Sequence, residues 1–403
     1  MKYFFLLVIF IALVSCETKF EENIVQFDNP GSLLGSEPNL HVTQDGRIVL
    51  SWIQAIDNKN SKLFLSTLDE KKRTWSDPIL IAEGSDWFVN WADFPSITSF
   101  GDNSMAAHYL DKSADDTYAY NVKLTISNDN GVTWNNAIIP HRDGTNTEHG
   151  FVSKVAIQDD KFLSVWLDGR KYAYSEQDSL IAKEMTLRSA ILDTNGELIS
   201  EYELDDRVCD CCQTDSAMTE KGPIVVYRDR SGKEVRDIYY VRFMDSEWTD
   251  PKPVYSDGWS IFGCPVNGPA IATFENTAAV AWFTNANDIP KVKVSFSDNN
   301  GELFNAPIEV DHFKPSGRVD IELLKDGSAL VSWLDNIEGM AVIRLQRINA
   351  DGSKDSAINV SESSESRSSG FPRMIIKNDD AYLTWTNSGD TLTVKTAKVH
   401  LKD

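Results

Sequence analysis

Positive charge is scarce in this chain: 39 Lys and Arg stand against 61 Asp and Glu, a formal net charge of −22. Nucleic acid needs clustered Lys and Arg, so this balance excludes it as a partner and disfavours electrostatic attachment to anionic lipid. Solubility is the plain reading of such acidity. The sequence has no Gly-x-x-x-x-Gly-Lys-Ser/Thr phosphate loop, no His-Glu-x-x-His and no Gly-x-Ser-x-Gly elbow. Nucleotide, zinc-protease and serine-hydrolase readings therefore have no support. Beyond the first fifteen residues there is no apolar run long enough to cross a bilayer, and no sustained 3.6-residue apolar period.

What is there begins at the N-terminus. Lys2 is followed by an apolar run and then small residues, the layout of a secretion signal over residues 1–15. The run is shorter than the ~20 residues a membrane span needs. Leu13-Val14-Ser15-Cys16 resembles the lipobox of bacterial lipoproteins, which implies acylation of Cys16 after cleavage. Residues 16–22 then form a polar tether and 23–403 the folded body. The expected location is the bacterial cell envelope, with the protein held to a membrane by its lipid alone and facing periplasm or cell surface. A monomer is expected.

Eleven Trp, twelve Tyr and nineteen Phe favour β structure. A short apolar strand ending in an aromatic recurs along the chain, at Trp52, Tyr109, Trp166, Tyr227, Trp282, Trp333 and Trp385. The intervals of 51 to 61 residues suit a four-stranded propeller blade. The expected fold is all-β: a single β-propeller of seven blades, with six as the alternative. The last unit has room for only three strands, so the N-terminal Ile24–Phe27 is expected to complete it and close the ring.

Two segments carry a family motif. Ser127-Asn-Asp129-Asn-Gly131-Val-Thr-Trp134 fits the Asp-box, and Ser297-Asp-Asn299-Asn-Gly301-Glu-Leu-Phe304 is a degenerate copy. The body thus resembles the sialidase-like propellers built from Asp-box (BNR) repeats. The box is a hairpin device and marks architecture rather than activity.

In a propeller, the loops leading into the innermost strands share one face with those leaving the second strands. Here these loops carry Asp93, Glu148, His149, Asp168, Arg170, Asp229, Asn267, Arg318 and Arg373, with Arg236 nearby. A glycan-binding site at that channel mouth is the expectation. Resemblance to active sialidases implies three arginines clamping a sugar carboxylate, a Tyr nucleophile activated by Glu, and an Asp acid/base. Arg318 and Arg373 would supply two clamp members, with Arg170 or Arg236 as third. Asp93 or Asp168 would be the acid/base, Tyr172 or Tyr174 the nucleophile, and Glu148 its partner. Sialidases have six blades, so seven repeats weaken that transfer. A non-catalytic propeller binding a glycan, protein or metal is the alternative.

Cys209, Cys211 and Cys212 precede the fourth blade's innermost strand, and Cys264 the fifth's. In an oxidising compartment four cysteines suggest disulfides, with Cys209 or Cys211 joined to Cys264, or a strained Cys211–Cys212 pair. The alternative is a thiolate metal site for Cu or Zn, with His149 as a further ligand.

Overall fold

The structure, a computed structural model, describes residues 24–27, 35–158 and 160–401. The expected signal and tether, with Cys16, lie outside the described residues. Seven antiparallel sheets follow one another along the chain. Their innermost strands are Gly35–Val42, Ile97–Phe100, His149–Ile157, Asp215–Thr219, Ala270–Phe274, Lys314–Leu323 and Arg373–Lys377. This is a seven-bladed β-propeller, and the six-bladed alternative is excluded.

The blade count follows from how the apolar residues are shared. Second strands such as Ile48–Ala55 and Lys161–Asp168 are buried nearly throughout, because each sheet is covered on both faces by its neighbours. The core is accordingly divided into seven clusters, one per interface between adjacent blades. Trp52, Trp166, Trp282 and Trp333 from second strands are fully buried in these wedges.

Blade seven takes its outer strand from the other end of the chain. Ile24–Phe27 pairs antiparallel with Leu392–His400, placing Ile24 opposite Val399 and Phe27 opposite Thr396. Closure by the N-terminal strand is as the strand arithmetic requires. Blade two is the irregular one: its outer position is reduced to the isolated bridge Leu124–Ile138.

Both Asp-boxes follow third strands. In the first, Ser127 Oγ donates to Asp129 and accepts from the Gly131 amide, while Asp129 accepts from the Thr133 amide. Gly131 sits at φ +87, which a side chain would resist. In the copy, Asn299 replaces Asp129 and the Ser297 contacts are kept.

The sequence reading missed one short helix, Arg170–Gln177, in the loop leaving blade three's second strand. Eight residues are too few to show an apolar period. Among the described residues no helix is long and apolar enough to cross a membrane.

The loops into the innermost strands are joined around the ring by side chains. Glu37, Phe151 and Arg318 each hold a left-handed φ at the start of blades one, three and six. Each turns its amide onto a neighbouring blade: Glu37 onto Thr386, Phe151 onto Asp93 and Arg318 onto Asn267. Non-glycine residues keep such a backbone only when surroundings hold it. Here the holding groups are specific acceptors.

Candidate active site at the channel mouth

Asp93, Tyr120 and Glu148 meet where blade two abuts blade three. Tyr120 opens blade two's third strand, and an isolated bridge pairs it with Glu148. Its hydroxyl donates to Glu148 Oε1 at 2.7 Å. The Tyr120 ring is fully buried and stacks on Phe88, with centroids 4.0 Å apart. Asp93 Oδ1 accepts from the Phe151 amide at 2.8 Å, while Oδ2 has no hydrogen-bond partner among the described residues. A side chain at Gly150 would collide with both Asp93 and the Tyr120 ring. Bare backbone at 150 is what lets the group assemble.

Burial pushes the Asp93 carboxyl up to about 7, against the Phe151 hydrogen bond. Burial also pushes Glu148 up to about 8; the Tyr120 hydrogen bond opposes the rise, and the Asp93 and Asp210 charges add to it. Both acids can therefore hold protons near neutrality. Burial and the Glu148 charge raise the Tyr120 hydroxyl well above its ordinary value, so it serves as a donor. Glu148 alone of the three is half-exposed.

Tyr120 went unnoticed in the sequence, although it stands at the mouth end of an alternating strand. Tyr172, on the short helix, packs under the Lys183 ammonium; its hydroxyl is raised to about 12, chiefly by burial. No Tyr172–Glu148 hydrogen bond is present among the described residues, so the Tyr–Glu pairing belongs to Tyr120. Tyr174 lies on the same helix.

Asp168, the other acid/base candidate, lies in a different setting. Its carboxylate is fully buried and grips the Arg170 guanidinium through two bonds of 2.7 Å, with the Arg170 amide donating at 3.0 Å and Trp166 at 2.8 Å. Around it lie His149, His141 and Asp143, the last two unread in the sequence despite the polar run His141–His149. Burial opposes charge on His149, but Asp143 and Asp168 outweigh it and raise its pKa. The His141 and His149 rings stack at 3.7 Å, only 1° from parallel. Ring nitrogens coordinate within the ring plane, so parallel stacked rings cannot both aim at one ion. This is a buried charge network, and His149 does not join the cysteines.

The four clamp arginines share no partner. Arg170 serves Asp168 and Glu201. Arg236 serves Cys209, Asp210 and Glu234. Arg318 donates to Ser369 and to the backbone of Glu365, Ser366 and Gly370, with its plane 4.9 Å over Trp91. Arg373 pairs with Asp320 at 3.2 Å inside the channel. The implied carboxylate clamp is therefore not assembled. Asn267 is a hub, accepting from Arg318 and Arg228 through side chain and backbone respectively. Asp229, raised to about 7 by burial and Asp205, sits apart near Tyr227, which donates to Asp205 at 2.6 Å.

The cysteines converge as free thiols among the described residues, which corrects the disulfide expectation. Cys209 Sγ lies 3.7 Å from Cys211 Sγ and 3.5 Å from Cys212 Sγ, far beyond the ~2.05 Å of a bond. Below the mouth, the channel holds a cavity of about 390 Å³ lined by all seven innermost strands. Lys154 projects there, bonded to His108 at 2.6 Å and Ser96 at 2.7 Å, and burial lowers its ammonium to about 7.

No protein-family model and no curated protein sequence matches the chain. Solved structures do. Polysaccharide lyase Uly1 superposes with TM-score 0.54 at 8% identity, over 93% of this chain and 92% of that one. The GH93 α-L-arabinofuranosidase of Fusarium graminearum, solved with arabinobiose, gives 0.52 at 12% identity over 94% and 97%. A protein of unknown function from Dyadobacter fermentans gives 0.50 at 12% over 94% and 98%. At these identities the likeness establishes the fold.

Proposed function

We propose that this chain is an envelope-anchored propeller that binds a glycan at the channel mouth and cleaves it there as an exo-acting glycosidase. The observation that carries the reading is the Tyr120–Glu148–Asp93 group. Cleaving a glycosidic bond needs an acid that still holds its proton at working pH. Glu148, raised to about 8 and half-exposed, meets that need. It would be the proton donor, with Tyr120 fixing its carboxyl. Asp93, raised to about 7, divides its time between acid and base near neutrality. The fold shared with an arabinofuranosidase and a polysaccharide lyase supports a glycan as ligand. The engaged arginines favour a glycan recognised by something other than a carboxylate clamp.

The test is turnover of aryl α-L-arabinofuranosides, sialosides and a panel of neutral and acidic polysaccharides by the purified full chain. Glu148→Gln should reduce kcat at least about a hundredfold, the scale of a lost general acid. The alkaline limb of the wild-type pH profile should fall near 8 and move upward in Tyr120→Phe, which removes a bond that favours the ionised form. Glycan binding without turnover would instead identify a non-catalytic binding propeller. Neither binding nor turnover across that panel would sink the glycan reading.

A further inference from the structure

We propose that Cys209, Cys211, Cys212 and Cys264 bind one soft d10 cation, Zn(II) or Cu(I), which staples blade four's lead-in loop to blade five's. The thiols of Cys209, Cys211 and Cys212 all lie within 4.8 Å of one another. Cys211 also lies within that reach of Cys264 and of the Asp210 carboxylate, in a second group that shares only Cys211 with the first, so Cys264 completes the set as the ion draws its loop inward. Cys211 is therefore the hinge between the two loops. A tetrahedral ion with metal–sulfur bonds of ~2.3 Å holds its sulfurs about 3.8 Å apart. The separations of 3.7 and 3.5 Å from Cys209 are the edges of such a polyhedron.

Charge supports the same conclusion. A thiolate cluster is anionic even with its ion bound, and Cys209 and Cys212 are buried, so a nearby cation is required. Arg236 supplies it: the guanidinium is buried and donates to Cys209 Sγ at 3.1 Å. Its other partners, Glu234 and Asp210, hold the guanidinium against the sulfur. The all-sulfur donor set selects soft ions over Mg(II) or Ca(II). Binding exchanges protons for the metal: each coordinated thiol becomes a thiolate and releases its proton to solvent, with no change of oxidation state. The site borders the Tyr120–Glu148 group without sharing its residues, and its existence does not depend on glycan chemistry.

The experiment is metal analysis of the full chain purified without chelator, with thiol titration before and after chelation. One equivalent of zinc or copper is expected, with all four thiols unreactive until the ion is stripped. Reloading with Co(II) should give the charge-transfer band of thiolate coordination if the native ion is Zn(II). If it is Cu(I), the metal should pass to a Cu(I)-selective chelator and show only sulfur neighbours in X-ray absorption. Cys211→Ser should lose the equivalent. Cys264→Ser, at an exposed position, tests the cross-loop ligand should the first variant fail to fold, and should lose stoichiometric binding likewise. Stripping should lower Tm in the wild type and leave Cys264→Ser unmoved. Four titratable thiols in the native metal-free protein, with no Zn(II), Co(II) or Cu(I) uptake, would overturn the proposal. So would a native mass lower by two hydrogens per bridge, showing disulfides.

Discussion

Gly150 has no side chain, and the Tyr120–Glu148–Asp93 group depends on that. Gly150→Ala would drive a methyl into Asp93 Oδ2 and the Tyr120 ring, both buried and backed by neighbours. The expected cost is about 1–3 kcal/mol in denaturant unfolding, as for other overpacked interiors. Combining it with Asp93→Ala should cost less than the sum of the two, because the collision partner is gone. Glu148 gives a second prediction at this scale. Its pKa rises from 4.5 to about 8 on folding, so the folded chain holds more protons than the unfolded chain between those values. Stability from this group is greatest below 4.5, declines as pH rises, and is exhausted above about 8. Glu148→Gln should flatten that decline, read as the difference between variant and wild-type unfolding curves across the window. At residue level the sequence revealed the acids Asp93 and Glu148 and the four thiols, because loop position alone sends them to one mouth. It did not reveal Tyr120, whose partner comes from the next blade. Nor did it show that the arginines are committed: Arg170 and Arg236 turn back onto Asp168 and Glu234 two residues away, while the acceptors of Arg318 and Arg373 lie about fifty residues away in the next blade or the one before.

The second strand of each blade carries an aromatic in its latter half, and these do not all bear the same load. Trp282 Nε1 donates to Asp257 at 2.7 Å, and Asp257 is itself nearly buried beside Lys293. Trp333 Nε1 has no hydrogen-bond partner among the described residues. Both rings are fully buried, so Phe at either position loses packing. Trp282→Phe should cost about 1–3 kcal/mol more than Trp333→Phe, because it also strips a donor from a buried carboxylate. Paired urea titrations would decide it; equal costs would show that the Asp257 bond contributes nothing net. Elements were the most legible scale. A recurring apolar strand bearing an aromatic is the direct imprint of a sheet covered on both faces. The helix Arg170–Gln177 and the missing outer strand of blade two left no such imprint, being too short or too irregular to carry a period.

For the whole molecule, the decisive feature is that blade seven borrows Ile24–Phe27. A chain beginning after Phe27 would leave Leu392–His400 as an exposed edge and remove Phe27 from its stack on Tyr382. Unpaired edges recruit other strands. That truncation should lower Tm and produce concentration-dependent oligomers by size exclusion, whereas the chain carrying the strand should remain monomeric. The blade number and the closing strand were both readable beforehand, since a three-stranded last unit admits few ways to avoid an open edge.

The borrowed strand also sets an order of events in time. Ile24 meets Val399, so the strand made ahead of blade one finds its partner only after the third strand of blade seven has been made. Bringing ends so distant together costs about 5 kcal/mol of chain entropy beyond a constant. Blades one to six can form in the order of synthesis, each on the one before. The ring itself can shut only at the last strand, and until then both flanks of the gap stand open to misassembly.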